Sequence, residues 1–339
     1  MTDEAAGARS AGPGRGAAGA SRGAAGSGPR RGVDGAGGGP ALPLLAEVFA
    51  ASNLAFLALD TWLAHETNGF ARTAEWTPVV FALASAAVLG ANLLRAAVRH
   101  GRGVRFHEGA GRPVGLAVGW TAILVGAVGL VLHLGSRFFE TLTLRSLVYS
   151  APFVAPLAFT GLGFLVLLPR LVDPGSRAWA RWVLFLALGG FAGNFVLSLA
   201  DHAQNGFFQP AEWIPVGAAA LAVGYLFALF AAPHGPDFRR AGWAVLALEA
   251  VVGVAGFVLH ALPALHEAGS PLLYRIVFGP PKFAPLLFTD LAVLGGLGLA
   301  ALEGRAPAGS PGMVAAGPPQ DAPAGGPPAA RGAPGVSRG

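Results

Sequence analysis

Four histidines, His65, His133, His202 and His260, stand in two related pairs, and each has a glutamate at a fixed distance further along the chain. Glu75 and Glu212 follow the first member of each pair by ten residues, and Glu140 and Glu267 follow the second by seven. Neutral imidazoles are the commonest protein ligands for metals and for haem iron, and a carboxylate nearby orients such a ring. The same residues have a plainer use, in which each histidine anchors a helix end by bonding a carboxylate. The chain has no cysteine and two methionines, which excludes disulfides, thiolate metal centres, iron–sulfur clusters and a catalytic thiol. Any cofactor must therefore rest on histidine, carboxylate or carbonyl groups.

Two kinds of ligation follow from the spacing. In the first, b-type haem sits between His65 and His133, and a second between His202 and His260. Gly129 and Gly126 precede His133 by one and two helical turns, as Gly256 and Gly253 precede His260. Helix number, histidine pairs and these glycines resemble the membrane b-type cytochromes, and the resemblance implies glycine-lined pockets for a flat macrocycle. In the second, a Zn or Fe ion is held by histidine and carboxylate, with Glu140 on the His133 face if that helix continues. Glu75, Glu140, Glu212, Glu267, Asn68 and Asn205 are then expected as outer partners of the ligands. Close packing of small residues is the structural alternative for the glycines.

Glu249, Asp290 and Asp60 belong to a different chemistry. They fall inside apolar runs, Glu249 and Asp290 near the centres of theirs, with no acid at Ala122 or Gly161 in the corresponding half. An ionisable group at membrane depth is by default a functional candidate, here a proton or cation relay in a secondary transporter. Asn53 lies on the same helical face as Asp60, and Asn92 and Asn194 add polar depth. A membrane scaffold with no ligand is a third class of function. No phosphate-binding loop or nucleophile elbow is present, which argues against hydrolysis or nucleotide-driven work.

These residues must be positioned by membrane helices. In 339 residues only 12% are charged against 53% hydrophobic, and mean hydropathy is +0.56. Eight apolar spans are predicted, at 41–64, 76–98, 114–135, 148–168, 179–202, 211–231, 240–262 and 281–302, each near the length that crosses about 30 Å of hydrocarbon. Tails at 1–40, rich in Gly, Ala and Arg, and at 304–339, rich in Pro, Gly and Ala, cannot bury enough apolar surface to order. Arg95, Arg99, Arg102, Arg105 and Arg112, then Arg170, Arg177 and Arg181, then Arg239 and Arg240 mark one side as cytoplasmic by the positive-inside rule. Both termini are expected there, in a bacterial inner membrane. The four histidines then fall near the outer leaflet, within reach of a quinone or a periplasmic redox partner. The net charge of +5 resides in tails and loops rather than in a basic helix, so nucleic acid is not expected.

An internal duplication organises the whole chain. From His65 to Val79 and from His202 to Val216, nine of fifteen positions are identical without a gap. Gly126-x-x-Gly129-x-Val131-Leu132-His133 recurs at 253–260, and Ala155-Pro156-Leu157-x-Phe159-Thr160 recurs at 284–289. The blocks keep their order, which predicts an all-α bundle of two four-span units, 41–168 and 179–303, joined by a linker at 169–178. An even number of spans per unit makes the repeat parallel, with its axis along the membrane normal. Asn-Gly is expected in a tight turn with positive φ, Trp76 and Trp213 at the membrane interface, Pro78, Pro215, Pro156 and Pro285 in first helical turns, and Glu75 and Glu212 as helix caps.

Overall fold

A computed structural model describes residues 41–100, 106–232, 235–266 and 269–304 of the chain. The tails 1–40 and 305–339 and the glutamate at 267 lie outside the described residues. Among the described residues all regular structure is helical, with no strand. The α-helices are α1 (Ala41–Glu66), α2 (Trp76–His100), α3 (Gly111–Leu134), α4 (Phe138–Thr141), α5 (Leu144–Val148), α6 (Leu157–Leu171), α7 (Arg177–Gln204), α8 (Trp213–Ala231), α9 (Pro236–His266), α10 (Leu272–Phe278) and α11 (Leu286–Glu303). Single 3₁₀ turns, Thr73–Glu75 and Pro210–Glu212, lead into α2 and α8.

Among the described residues seven helices are long and apolar enough to cross a membrane: α1, α2, α3, α7, α8, α9 and α11. Their apolar residues run right round the cylinder, and large ones such as Leu94, Val98, Phe227 and Val251 face outward. That is the pattern of helices with lipid on one side and protein on the other, where the backbone must satisfy its own hydrogen bonds. The span expected at 148–168 is a shorter helix. Pro152 and Pro156 keep the chain irregular until Leu157, and the 15 residues of α6 extend only about 22 Å at 1.5 Å per residue. For the same reason α11 begins at Leu286, after Pro285, rather than at 281. Asp290 consequently lies in the second turn of its helix, not at its centre.

The helices pack as α1 with α2 and α6, α3 with α6, α7 with α8 and α11, and α9 with α8 and α11. Between these two sets, α6 meets α7 and α1 meets α11, while α5 reaches α7 and α10 reaches α1. The shared interior is formed by Ala46, Ala50 and Leu54 of α1, Leu184, Ala187 and Phe191 of α7, and buried residues of α6 and α11. Alanine and glycine along these seams let helix axes approach closely, which is where association in lipid gains its dispersion energy.

Candidate functional site

The histidine end of the bundle is built by how α1 and α7 stop. Phe70 N–H donates to the His65 carbonyl (3.1 Å) and Gly69 N–H to that of Glu66 (3.0 Å). Gly69 has φ +64°, which completes a Schellman cap. Phe70 also has positive φ, +50°, so the left-handed pair is Gly-Phe rather than the expected Asn-Gly. The second copy repeats this: Phe207 N–H donates to His202 O at 3.1 Å, with φ +71° at Gly206 and +51° at Phe207. Two successive left-handed residues turn the chain back over the helix end. Phe70 then stacks on Trp76 (centroids 4.0 Å, 13°) and Phe207 on Trp213 (3.9 Å, 12°). Asn68 and Asn205 are exposed turn residues whose backbone N–H groups bond the histidine carbonyls.

The reversal returns the glutamates to the histidines. Glu75 Oε2 lies 3.8 Å from His65 Nδ1, and Glu212 Oε2 lies 3.7 Å from His202 Nδ1. Those separations are too long for hydrogen bonds and would be ion pairs only with a protonated ring, and both Oε2 atoms are buried without a hydrogen-bond donor. Glu212 is the N-cap residue of α8, but its side chain makes no capping bond. Its expected cap role is replaced by the contact with His202.

His133 and His260 are held differently from expectation. Helix α3 ends at Leu134, so Glu140 falls in α4, exposed and away from the His133 face. His133 Nδ1 instead bonds the carbonyl of Pro152 at 2.8 Å, and His260 Nδ1 bonds that of Pro281 at 2.8 Å. A carbonyl only accepts, so Nδ1 carries the proton in both rings and Nε2 is left free. His65 and His133 face each other with centroids 6.3 Å apart and planes at 84°; His202 and His260 lie within electrostatic reach of one another.

The glycines before each second histidine serve packing. A Cβ on Gly126 would lie 2.7 Å from the Pro156 carbonyl and collide with the Thr160 hydroxyl, and one on Gly129 would lie 2.7 Å from Pro156 Cβ. Gly253 and Gly256 meet Thr289 and Pro285 in the same way. Their faces are thus filled by α6 and α11, which fixes the height at which Pro152 and Pro281 meet the imidazoles. Among the described residues no three histidine, aspartate or glutamate side chains converge as a ready-made metal site.

The membrane acids stand apart from the histidines. Glu249 is fully buried with neither carboxylate oxygen hydrogen-bonded, so it does not bond Asp290. Asp290 lines a cleft between α1 and α11. Asp60 is half-buried on α1 outside that lining. Asn92 donates to the Phe106 carbonyl (3.0 Å), and Asn194 is buried in α7. Arg170 is not a loop charge: it is buried and forms two hydrogen bonds with Glu47, 2.9 and 2.7 Å.

The partners that sequence reasoning missed are the carbonyls of Pro152 and Pro281, because a main-chain acceptor leaves no trace in side-chain type. Their one signature is Pro-x-x-x-Pro at 152–156 and again at 281–285. No family model, curated protein or solved structure matches the chain.

Proposed function

We propose that the protein crosses the membrane eight times as two parallel four-helix halves, each carrying one histidine-pair site for a transition metal at the outer face. The exchanged contacts, α6 with α7 and α1 with α11, support a pseudo-twofold axis between the halves. The observation that carries the metal reading is the treatment of the imidazoles. In each half two rings are brought together while an oxygen acceptor faces Nδ1 on each, a carbonyl on one and a carboxylate on the other. That arrangement is how metal-ligating histidines are oriented with Nε2 toward the ion. Two metal–nitrogen bonds of about 2.1 Å put ring centroids about 6.5 Å apart at a linear angle and about 5.3 Å apart at a tetrahedral one, so at 6.3 Å the rings must close by about 1 Å to hold a tetrahedral ion.

A single ion, Zn or Fe, with water or an exogenous ligand completing its shell, fits better than haem b, because the glycine faces that would seat a macrocycle are occupied by Pro156, Thr160, Pro285 and Thr289. With Fe, such a site would serve electron transfer or sensing for a quinone or a periplasmic partner; with redox-inert Zn, sensing alone. His65, His133, His202 and His260 hold the metal; Glu75 and Glu212 orient two of the rings.

The experiment is elemental analysis with oxidised and reduced visible spectra of the detergent-purified full chain, wild type and His133→Ala. One metal per half, reduced to half the content in His133→Ala with the chain still inserted, is the expected result. A Soret band with the same loss would make the metal haem iron. Protein that takes up no stoichiometric metal, or His133→Ala with full content, would overturn the proposal.

A further inference from the structure

A cleft of about 250 Å³ opens between α1 and α11, where the two helix sets meet, lined by Ser52, Asn53, Phe56, Leu286, Thr289 and Asp290. Its depth follows from the helices. Asn53 is twelve residues from His65 on α1, about 18 Å at 1.5 Å per residue, which places the cleft well inside the apolar part of the bundle. Phe56 closes one end through an edge contact with Phe283 (5.1 Å).

The polar groups in the cleft are arranged as acceptors. Asn53 Nδ2 donates one of its two N–H groups to the Phe49 carbonyl of its own helix (3.1 Å), and Oδ1 remains as an acceptor. Thr289 Oγ1 donates to the Ala250 carbonyl (3.2 Å), which leaves its lone pairs. Ser52 adds a hydroxyl and Asp290 a carboxylate. The Asp290 carboxylate disfavours an anion, and a hard cation finds oxygen ligands here.

Packing alone does not require these residues. α1 and α7 align without a gap and bury the same faces, so that Ala50 and Leu54 correspond to Ala187 and Phe191. In that register Ser52 and Asn53 correspond to Gly189 and Gly190, and Asp290 corresponds to Gly161. Three of the four polar groups are thus absent from the matching positions, where Gly189 and Gly161 have open space around them and Gly190 packs against Leu291 of α11. The nearby Glu249, next to the Ala250 that Thr289 bonds, likewise corresponds to Ala122.

We propose that the cleft between α1 and α11 binds one alkali-metal cation through the Asp290 carboxylate and the neutral oxygens of Ser52, Asn53 and Thr289. A single carboxylate balances one positive charge, and a divalent ion would leave an unpaired charge in a low-dielectric interior. The site lies at the seam between the halves and near mid-depth, where coupling ions of repeat-built transporters bind. It does not depend on the histidine sites.

Radiolabelled sodium binding to the full chain in nanodiscs, by scintillation proximity at constant ionic strength in choline chloride, tests this. Saturable binding near one ion per chain is expected, with affinity reduced about tenfold or more in Asp290→Asn, as removal of the charged ligand implies. Asn53→Ala should weaken binding by a smaller factor, and it stands in if Asp290→Asn does not fold. His65→Ala and His202→Ala should leave sodium binding unchanged, which separates this site from the metal reading. Absence of saturable sodium binding, binding indifferent to both cleft substitutions, or a site that responds to pH and not to any alkali cation would overturn the proposal.

Discussion

Glu47 and Arg170 meet in a two-pronged, fully buried salt bridge between α1 and α6, at 2.9 and 2.7 Å. Arg170 also donates to the Val166 carbonyl and lies 5.8 Å over the ring of Phe106. At the corresponding positions of the other half stand Leu184 and Leu299, both buried in the common core. Charges thus stand at one pair of positions where apolar side chains stand at the matching pair in the sequence duplication.

That substitution makes a prediction about stability. Glu47→Ala leaves a guanidinium buried without its counter-ion, and should cost about 3–5 kcal/mol. The double variant Glu47→Leu with Arg170→Leu imitates the other half and should recover most of that loss. Equilibrium unfolding in mixed micelles measures both; a double variant as unstable as the single one would show that the ion pair is needed for more than its own neutralisation.

The helix seams predict a contrast among glycines. Gly126→Ala and Gly253→Ala place a methyl against the backbone and hydroxyls of α6 and α11, and should destabilise by about 1–3 kcal/mol through overpacking. Gly161→Ala, with open space around its Cβ position, should be neutral or slightly stabilising. Thermal unfolding of the three variants in one detergent tests this, and equal melting points would refute it.

The caps predict a second contrast. Gly69→Ala and Gly206→Ala force a side chain into φ +64° and +71°, at a cost of about 1–2 kcal/mol each. Gly90→Ala, in the middle of α2 with nothing near its Cβ position, should gain about 0.5–1 kcal/mol. Because the cap sets the Phe70–Trp76 and Phe207–Trp213 stacks, tryptophan fluorescence should change in the cap variants and not in Gly90→Ala.

At the histidine sites, the two glutamates that sequence spacing treats alike should behave differently. On the proposed metal reading, Glu75→Gln removes the charge facing His65 and should weaken metal affinity by about 10–100-fold. Glu140→Gln, exposed on α4, should leave affinity unchanged. Competition with a chromophoric chelator reads both, and equal losses would return Glu140 to the site.

The histidine pairs were legible in the sequence because the duplication marks them: a residue kept in both copies at the same offset from Gly, Phe, Glu and Trp is placed twice by one local rule. The His65–Glu75 and His202–Glu212 contacts were legible for the same reason, since they are made within one helix end and the turn after it. Contacts of His133 and His260 were not, because they depend on where α3 stops and on which carbonyl α6 brings to that height.

Apolar run lengths by themselves determine that the chain is a helical membrane bundle, since about twenty uninterrupted apolar residues admit few other structures. Only the tertiary structure decides that the glycines pack against prolines and threonines, that Arg170 pairs with Glu47 far away in sequence, and that Asp290 shares a cleft with Ser52 and Asn53. Hydrophobicity is a property of each segment read alone. Which faces meet across a seam is a property of helix register and rotation, which in lipid are set by close packing and by buried polar partners rather than by hydropathy.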